Sequence, residues 1–179
     1  MRVILVSGHA RSGKDTIADM LKTKLGKQVG EDQVLIIHFA DLLKFICKQY
    51  FGWDGEKDQK GRQMLQYVGT DVIRKANPNY WVDFVTGFLT MFKHNWEYAI
   101  ISDCRFPNEV ECVKQPLGAL HIRVERPNYE SALTSEQKLH PSETALDGYP
   151  CDCLIQNDGT LDDLSAKLDE IVEMLQEAN

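Results

Sequence analysis

No stretch of the 179 residues approaches the roughly 18 to 20 consecutive apolar positions that a membrane-spanning helix requires. Met1 is followed at once by Arg2 and a short strand-like run, so neither a membrane span nor an export signal is expected. Cysteine is sparse and odd in number: Cys47, Cys104, Cys112, Cys151 and Cys153 are scattered. That pattern excludes a disulfide scaffold and fits free thiols in a reducing cytoplasm. Cys151 and Cys153 lie at strand spacing, but no second Cys or His cluster accompanies them, so they read as small apolar residues and not as a metal site. Positive charge is also in deficit, with 20 Lys and Arg against 27 Asp and Glu and a net charge of −7. An acidic chain without a basic stripe is a poor partner for duplex DNA or RNA, so no nucleic-acid polymer is expected.

What is present is a core. At 43% hydrophobic and 26% charged residues, the chain is far too apolar to be disordered over most of its length. Its size suits one domain spanning 1–179. The acidity is local. Residues 151–179 hold eight acids and one Lys, whereas acids and bases balance over 1–150. A solvated C-terminal helix therefore accounts for the net charge, and the body remains free to focus positive potential in one cleft.

Short apolar runs at Arg2–Ser7, Val34–Phe39, Tyr98–Ser102, Ala119–Glu125 and Cys153–Gln156 read as buried strands. Between them the spacing predicts helices over Asp15–Leu25, ended by Gly26, then Asp41–Phe51, Asn108–Lys114 and Thr160–Gln176, the last with Thr160 and Asp163 as a capping box. Residues 52–61 are polar and read as a surface loop. Residues 62–93 are helical in period, split by Pro78. Residues 127–150, with three prolines, read as a loop or lid outside the core. Strands alternating with helices imply an α/β fold with a five-stranded parallel sheet.

The strongest chemical signal is Gly8-His9-Ala10-Arg11-Ser12-Gly13-Lys14-Asp15-Thr16, set directly between a strand and a helix. Gly8 and Gly13 let the backbone curl so that successive N–H groups meet one anion, and the helix N-terminus adds its dipole. Lys14 is a compact charge for β- and γ-phosphates, joined by Arg11. Asp15 stands where Ser or Thr commonly ligates Mg²⁺; a carboxylate is a good hard ligand, directly or through water, so magnesium is still expected. Thr16 is then within reach of an α-phosphate. These residues predict nucleotide-phosphate binding.

Further segments, Phe39-Ala40-Asp41-Leu42-Leu43-Lys44, Arg62 through Gly69-Thr70-Asp71, Asn79-Tyr80-Trp81, Ile101-Ser102-Asp103-Cys104-Arg105 through Asn108-Glu109, and Asn157-Asp158-Gly159, occur in order along nearly the whole chain. Together with the glycine loop they resemble the deoxynucleoside monophosphate kinases of the phage type. The Gly-Lys-Asp loop is shared with animal-type phosphomevalonate kinases, but the Arg…Gly-Thr-Asp and Ser-Asp-x-Arg segments make the nucleotide kinases the closer match. The resemblance implies a P-loop three-layer sandwich with a helical acceptor-site insertion (about 52–93) and a lid (about 127–150). It implies ATP and Mg²⁺, and a deoxynucleoside monophosphate as acceptor.

Asp103 and Arg105 come after a buried strand, at the edge where open α/β sheets bind ligands. Asp103 either holds Mg²⁺ through water or orients an arginine, and Arg105 clamps a phosphoryl group; the alternative is a structural pair at a strand end. Asp41 either contacts the acceptor nucleotide or caps the next helix, and Lys44 is placed beside it. Arg62 and Arg74 lie in the region that forms the acceptor site of nucleoside monophosphate kinases, and arginine's planar fork suits a monophosphate; the alternative is ordinary solvated helix charge. Trp81 is a candidate wall of the base pocket, with the core as its alternative. Similarity brings Arg126 to donor phosphates on lid closure and Asn157 and Gly159 beside the donor adenine, where a plain turn is the alternative. His140, Ser142 and Glu143, in the same stretch, either touch substrate or, by default, are solvated loop residues. The expected activity is ATP-dependent phosphorylation of a deoxynucleoside monophosphate, with Lys14, Arg62, Arg105 and Arg126 carrying the charge neutralisation. Rivals are another small-molecule phosphate kinase, acting on phosphomevalonate, dephospho-coenzyme A or a ribonucleotide, and a non-catalytic nucleotide switch. A homodimer is compatible with the sequence.

Overall fold

The computed structural model describes residues 1–127, 129 and 133–177. Strands β1 (Arg2–Ser7), β2 (Val34–Ile37), β3 (Tyr98–Cys104), β4 (Leu120–Glu125) and β5 (Cys153–Gln156) form one parallel sheet in the order β2-β3-β1-β4-β5. Successive side chains of a strand point to opposite faces, so a strand covered on both sides must be apolar at every position. β1 meets that demand. Val3 and Leu5 enter one hydrophobic cluster, while Ile4 and Val6 enter the other.

The Ile4 face is covered by α1 (Lys14–Val29) through Ile17, Leu21 and Leu25, and by α8 (Leu161–Glu177) through Leu164, Leu168 and Ile171. The opposite face is covered by α2 (Ala40–Tyr50), α4 (Tyr80–Met91) and α5 (Pro107–Leu117), which contribute Leu43 and Cys47, Val82 and Leu89, and Val110 and Val113. Before α4 come α3 (Gln59–Gln66) and a π-helical turn, Tyr67–Arg74, with Asn77–Asn79 as the break. α6 (Ser135–Leu139) and α7 (Pro141–Thr144) lie between β4 and β5. Among the described residues no helix is long and apolar enough to cross a membrane.

Several boundaries depart from the sequence expectations. Gly26 does not end α1. A Cβ there would lie 3.0 Å from the Glu31 Cα, so glycine is needed inside the helix to let the next turn come close. The helix ends at Gly30 (φ 99°), whose N–H reaches back to the Gly26 carbonyl at 2.8 Å. β3 continues past Ser102, so Asp103 and Cys104 belong to the strand, and buried Cys104 pairs with Ser7. The polar loop before α3 buries Trp53, whose indole N–H donates to the Glu56 carbonyl at 2.9 Å.

The largest correction concerns 127–150. It contains two helices, and Leu146 is buried in the core cluster with Leu5 and Ile101. Arg123 explains this. Strand alternation turns its guanidinium inward, where it donates to the Leu146 carbonyl and pairs with Asp147 at 3.1 Å. At α8 the expected capping box is present: Thr160 N–H donates to Asp163 Oδ2 at 2.8 Å, and Asp163 N–H to Thr160 Oγ1 at 3.2 Å.

Candidate active site

Residues 8–13 join β1 to α1 at the carboxyl edge of the sheet. Gly8 has φ 143°, and a Cβ on it would collide with the Val124 carbonyl. Gly13 has φ 105°, and a Cβ would sit 2.5 Å from Asn157 Nδ2. Neither contact nor angle admits another residue. Arg11 holds φ 61° without being glycine, a strained geometry of the sort that marks functional loops. Asn157, after β5, donates its amide to the Ser12 carbonyl at 2.9 Å and so fixes the curl from outside. Within it, Ser12 Oγ is buried and has no hydrogen-bond partner among the described residues. An anion seated in the loop would supply one.

Lys14 is buried at the start of α1, and its ammonium donates to the Gly8 and His9 carbonyls at 2.9 and 2.7 Å. Burial, helped by the charge of Arg105, pulls this lysine down to about 7; the carboxylates of Glu143, Asp15 and Asp103 pull the other way. Such a group regains its full charge when a polyanion arrives.

Beside the loop lies a cavity of about 490 Å³ whose wall includes Lys14, Arg62, Arg74, Trp81, Asp103 and Arg105. Lys44, Asp15 and Arg11 also border it. Arg62 reaches it from α3, with its Nε donating to the Lys57 carbonyl at 2.9 Å. Arg105 arrives from the loop after β3, its Nη1 3.0 Å from Glu143 Oε1 and 3.3 Å from the Ser142 carbonyl. Trp81 is both wall and core: it is only 3% exposed, and its indole N–H donates to the Gly69 carbonyl at 3.0 Å.

Arg74 is on the wall but already engaged. Its Nη2 lies 2.5 Å from Glu109 Oε1, and its guanidinium stacks 3.9 Å above the Phe106 ring. Glu109 is itself buried and accepts the N–H groups of Arg105 (2.6 Å) and Phe106 (3.0 Å) with its other oxygen. Burial raises this carboxyl, and Arg74 opposes the shift. The pair holds the backbone that carries Arg105.

Asp103 is likewise engaged. Its two oxygens accept the N–H groups of Phe39 and Ala40 at 2.8 and 3.0 Å, which pins the start of α2. Asp15 is exposed in the first turn of α1, with Ser102 Oγ 3.4 Å away, and Thr16 is exposed next to it. No group of three or more His, Cys, Asp or Glu residues able to hold a metal occurs among the described residues. Asp41 does not border the cavity. It accepts the His38 N–H at 2.9 Å and pairs with Lys44 at 3.1 Å and the His38 ring at 3.1 Å, which makes it a local anchor at the head of α2. Burial would raise Asp41, but His38 and then Lys44 outweigh it and hold it at about 2; the same contact raises His38.

A second cavity, about 770 Å³, opens on the other side of the loop between Ser12, Arg126, Tyr129 and Thr144. Arg126 stacks 4.7 Å over the Tyr129 ring, and the Tyr129 hydroxyl accepts from Arg11 at 3.2 Å. Gly159 borders neither cavity; it makes room for the Asp163 cap of α8, 2.6 Å from where its Cβ would be. Sequence reasoning passed over Tyr129, and it read Glu143 as solvated by default, with substrate contact as the alternative. The one local signal at Glu143 was Pro141, which suits the first turn of a helix and so argues against an open loop.

Comparison with known proteins agrees with this arrangement. A family model described as deoxynucleotide monophosphate kinase matches residues 30–168. The match begins after the glycine loop, so the loop and the family match point independently to nucleotide chemistry. A candidate deoxynucleotide monophosphate kinase of Acanthamoeba polyphaga mimivirus is 30% identical and is covered end to end, as is this chain. The deoxynucleotide monophosphate kinase of Enterobacteria phage T4 is 31% identical over 64% of this chain and 46% of its own length. The phosphomevalonate kinase of Drosophila melanogaster is 25% identical over 98% of this chain and 97% of its own. Among solved structures, an APS kinase from Mycobacterium tuberculosis aligns over 96% of both chains at 10% identity, with a TM-score of 0.49. The fold is α/β, and the chain belongs to the deoxynucleotide monophosphate kinase family. It is a nucleoside monophosphate kinase, a phosphotransferase.

Proposed function

We propose that the chain transfers the γ-phosphoryl group of ATP to the phosphate of a deoxynucleoside monophosphate. The observation that carries this reading is the buried Lys14, which lines one cavity together with Arg62 and Arg105. The glycine loop seats the donor polyphosphate through backbone N–H groups, the Ser12 hydroxyl and Lys14. The acceptor lies in the 490 Å³ cavity, its phosphate toward Arg62 and Arg105 and its base toward Trp81, Leu65 and Leu43.

An acceptor phosphate oxygen is already anionic, so no general base is needed. Lys14 and the two arginines neutralise charge and hold donor and acceptor in line. Arg126, stacked on Tyr129, faces the outer flank of the loop and serves the donor side. Arg74 acts at one remove, by holding the Arg105 backbone through Glu109. Asp15, exposed in the first turn of α1, and Asp103 would hold Mg²⁺, directly or through water. The ion would supply charge neutralisation at the donor phosphates. The stretch 52–93 serves as the acceptor-side wall.

The test is a coupled ADP-release assay with ATP and Mg²⁺ across deoxy- and ribonucleoside monophosphates, with phosphomevalonate as a further acceptor. Turnover with one or more deoxynucleotides, far above the ATP-only background, is expected. Turnover with phosphomevalonate alone would reassign the acceptor. Silence with every acceptor would overturn the reading.

A further inference from the structure

In α7 the Glu143 carboxylate occupies a place suited to a ligand. Its side chain is 10% exposed. Oε2 accepts the backbone N–H of Ala10, in the middle of the glycine loop, at 2.8 Å. Oε1 lies 3.0 Å from Arg105 Nη1. Its field is also felt at Lys14, which it pulls toward the charged form. A loop N–H, a guanidinium and a nearby ammonium are the donor set that recognises a phosphoryl oxygen. Here one carboxylate engages the N–H and the guanidinium, while the ammonium donates to the Gly8 and His9 carbonyls.

Anchoring of the segment does not account for this contact. Arg123 already grips the Leu146 carbonyl and Asp147, His9 pairs with Asp147 at 3.0 Å, and Leu146 is buried in the core. Those contacts hold the chain just after α7 with no help from Glu143. A carboxylate this close to Lys14 and Arg105 would, if it stayed, repel the anion those residues are arranged to bind. Glu143 also borders both cavities, so it stands between the donor and acceptor sides of the loop.

We propose that Glu143 is an internal phosphoryl mimic: it fills a phosphoryl subsite formed by the Ala10 N–H and Arg105, and it leaves when a polyphosphate takes those donors. Polyphosphate binding and release of α7 are then one coupled event, and the Ala10 N–H is not left bare in the free loop. The inference rests on reading residues 8–14 as a phosphate loop. The competition lowers apparent donor affinity in proportion to the fraction of molecules with Glu143 seated.

The experiment is calorimetric titration of inorganic tripolyphosphate, without metal, into the native chain, Glu143→Gln, Glu143→Ala and Lys14→Ala. Both Glu143 variants are expected to bind roughly tenfold more tightly than the native chain, and Lys14→Ala to lose binding. Unchanged or weaker binding in both Glu143 variants, with binding still lost in Lys14→Ala, would overturn the mimic and leave the phosphate loop standing. Normal binding by Lys14→Ala would bring down both. Hydrogen exchange on the native chain gives a check that needs no variant. Tripolyphosphate should speed exchange in the amides of 135–144, and exchange that stays constant or slows there would overturn the proposal.

Discussion

Asn157 and Ser12 stand 145 positions apart in the chain, yet the Asn157 side-chain amide donates to the Ser12 carbonyl at 2.9 Å. The Asn157 backbone N–H also donates to the Glu125 carbonyl at 2.7 Å, so the residue is locked to β4 and forms a rigid strut under the loop. Asn157→Ala is expected to cost about 1 kcal/mol of stability. It should weaken donor binding several-fold while leaving the acceptor KM unchanged, as read by steady-state kinetics with each substrate varied. Equal effects on both substrates would deny the strut a specific role in the loop.

Gly8→Ala combines a forbidden φ with a collision against the Val124 carbonyl, and a backbone oxygen cannot swing aside. The loss should be about 2–4 kcal/mol in urea unfolding. Gly52→Ala is the control. It too has a positive φ, 69°, but nothing lies within 4 Å of its Cβ, so about 1–2 kcal/mol is expected.

Lys14 ties stability and binding to pH. Its usual value of 10.5 falls to about 7 in the folded chain, so between those limits the unfolded chain holds more protons. Folding is penalised fully below about 7, and the penalty fades as pH rises toward 10.5. The stability advantage of Lys14→Met over the native chain should therefore shrink between pH 7 and pH 9.5, as measured by chemical unfolding. Polyphosphate restores the ammonium. At pH 8 its binding should take up close to one proton, seen by calorimetry in buffers of different ionisation enthalpy.

Arg74 and Glu109 form a nearly buried pair, their side chains 12% and 2% exposed. Removing one partner strands a buried charge, so Arg74→Met should cost about 3–5 kcal/mol. The acceptor KM at a temperature where the variant is folded should move far less than in Arg62→Ala. A tenfold rise in KM without loss of stability would make Arg74 a phosphate ligand after all.

Much of the fold was legible in the sequence, for a physical reason. A parallel strand buried on both faces must be an unbroken apolar run, as β1 is, and even the less regular β2 to β5 keep enough apolar residues to be placed within a residue or two. The loop between Gly8 and Thr16 was readable because backbone curl needs glycine and phosphate needs a cation, and both are fixed by spacing. The features that stayed hidden depend on pairings made across the fold. Arg74 looks like any helix-borne arginine until the fold sets Glu109, 35 residues on, against it. That Asp103 also pins the start of α2 is invisible until the amides of Phe39 and Ala40 arrive. The segment after β4 looks like solvated loop because its polar composition conceals the inward guanidinium of Arg123 that draws it down. Gly26 misled for a related reason, since its missing side chain serves a neighbour and not its own backbone angle.

The π-helical turn at Tyr67–Arg74 carries a consequence for sequence change. Its wider winding holds one more residue per turn than an α-helix, so the wall from α3 to α4 is counted in residues as well as in chemistry. Deleting a single position there would force the turn toward α-helical winding and shift the residues that follow it along the wall. Arg74 would leave Glu109, and the Gly69 carbonyl would leave the Trp81 indole. Point substitutions on the exposed side of this stretch should be absorbed, whereas a one-codon insertion or deletion should not.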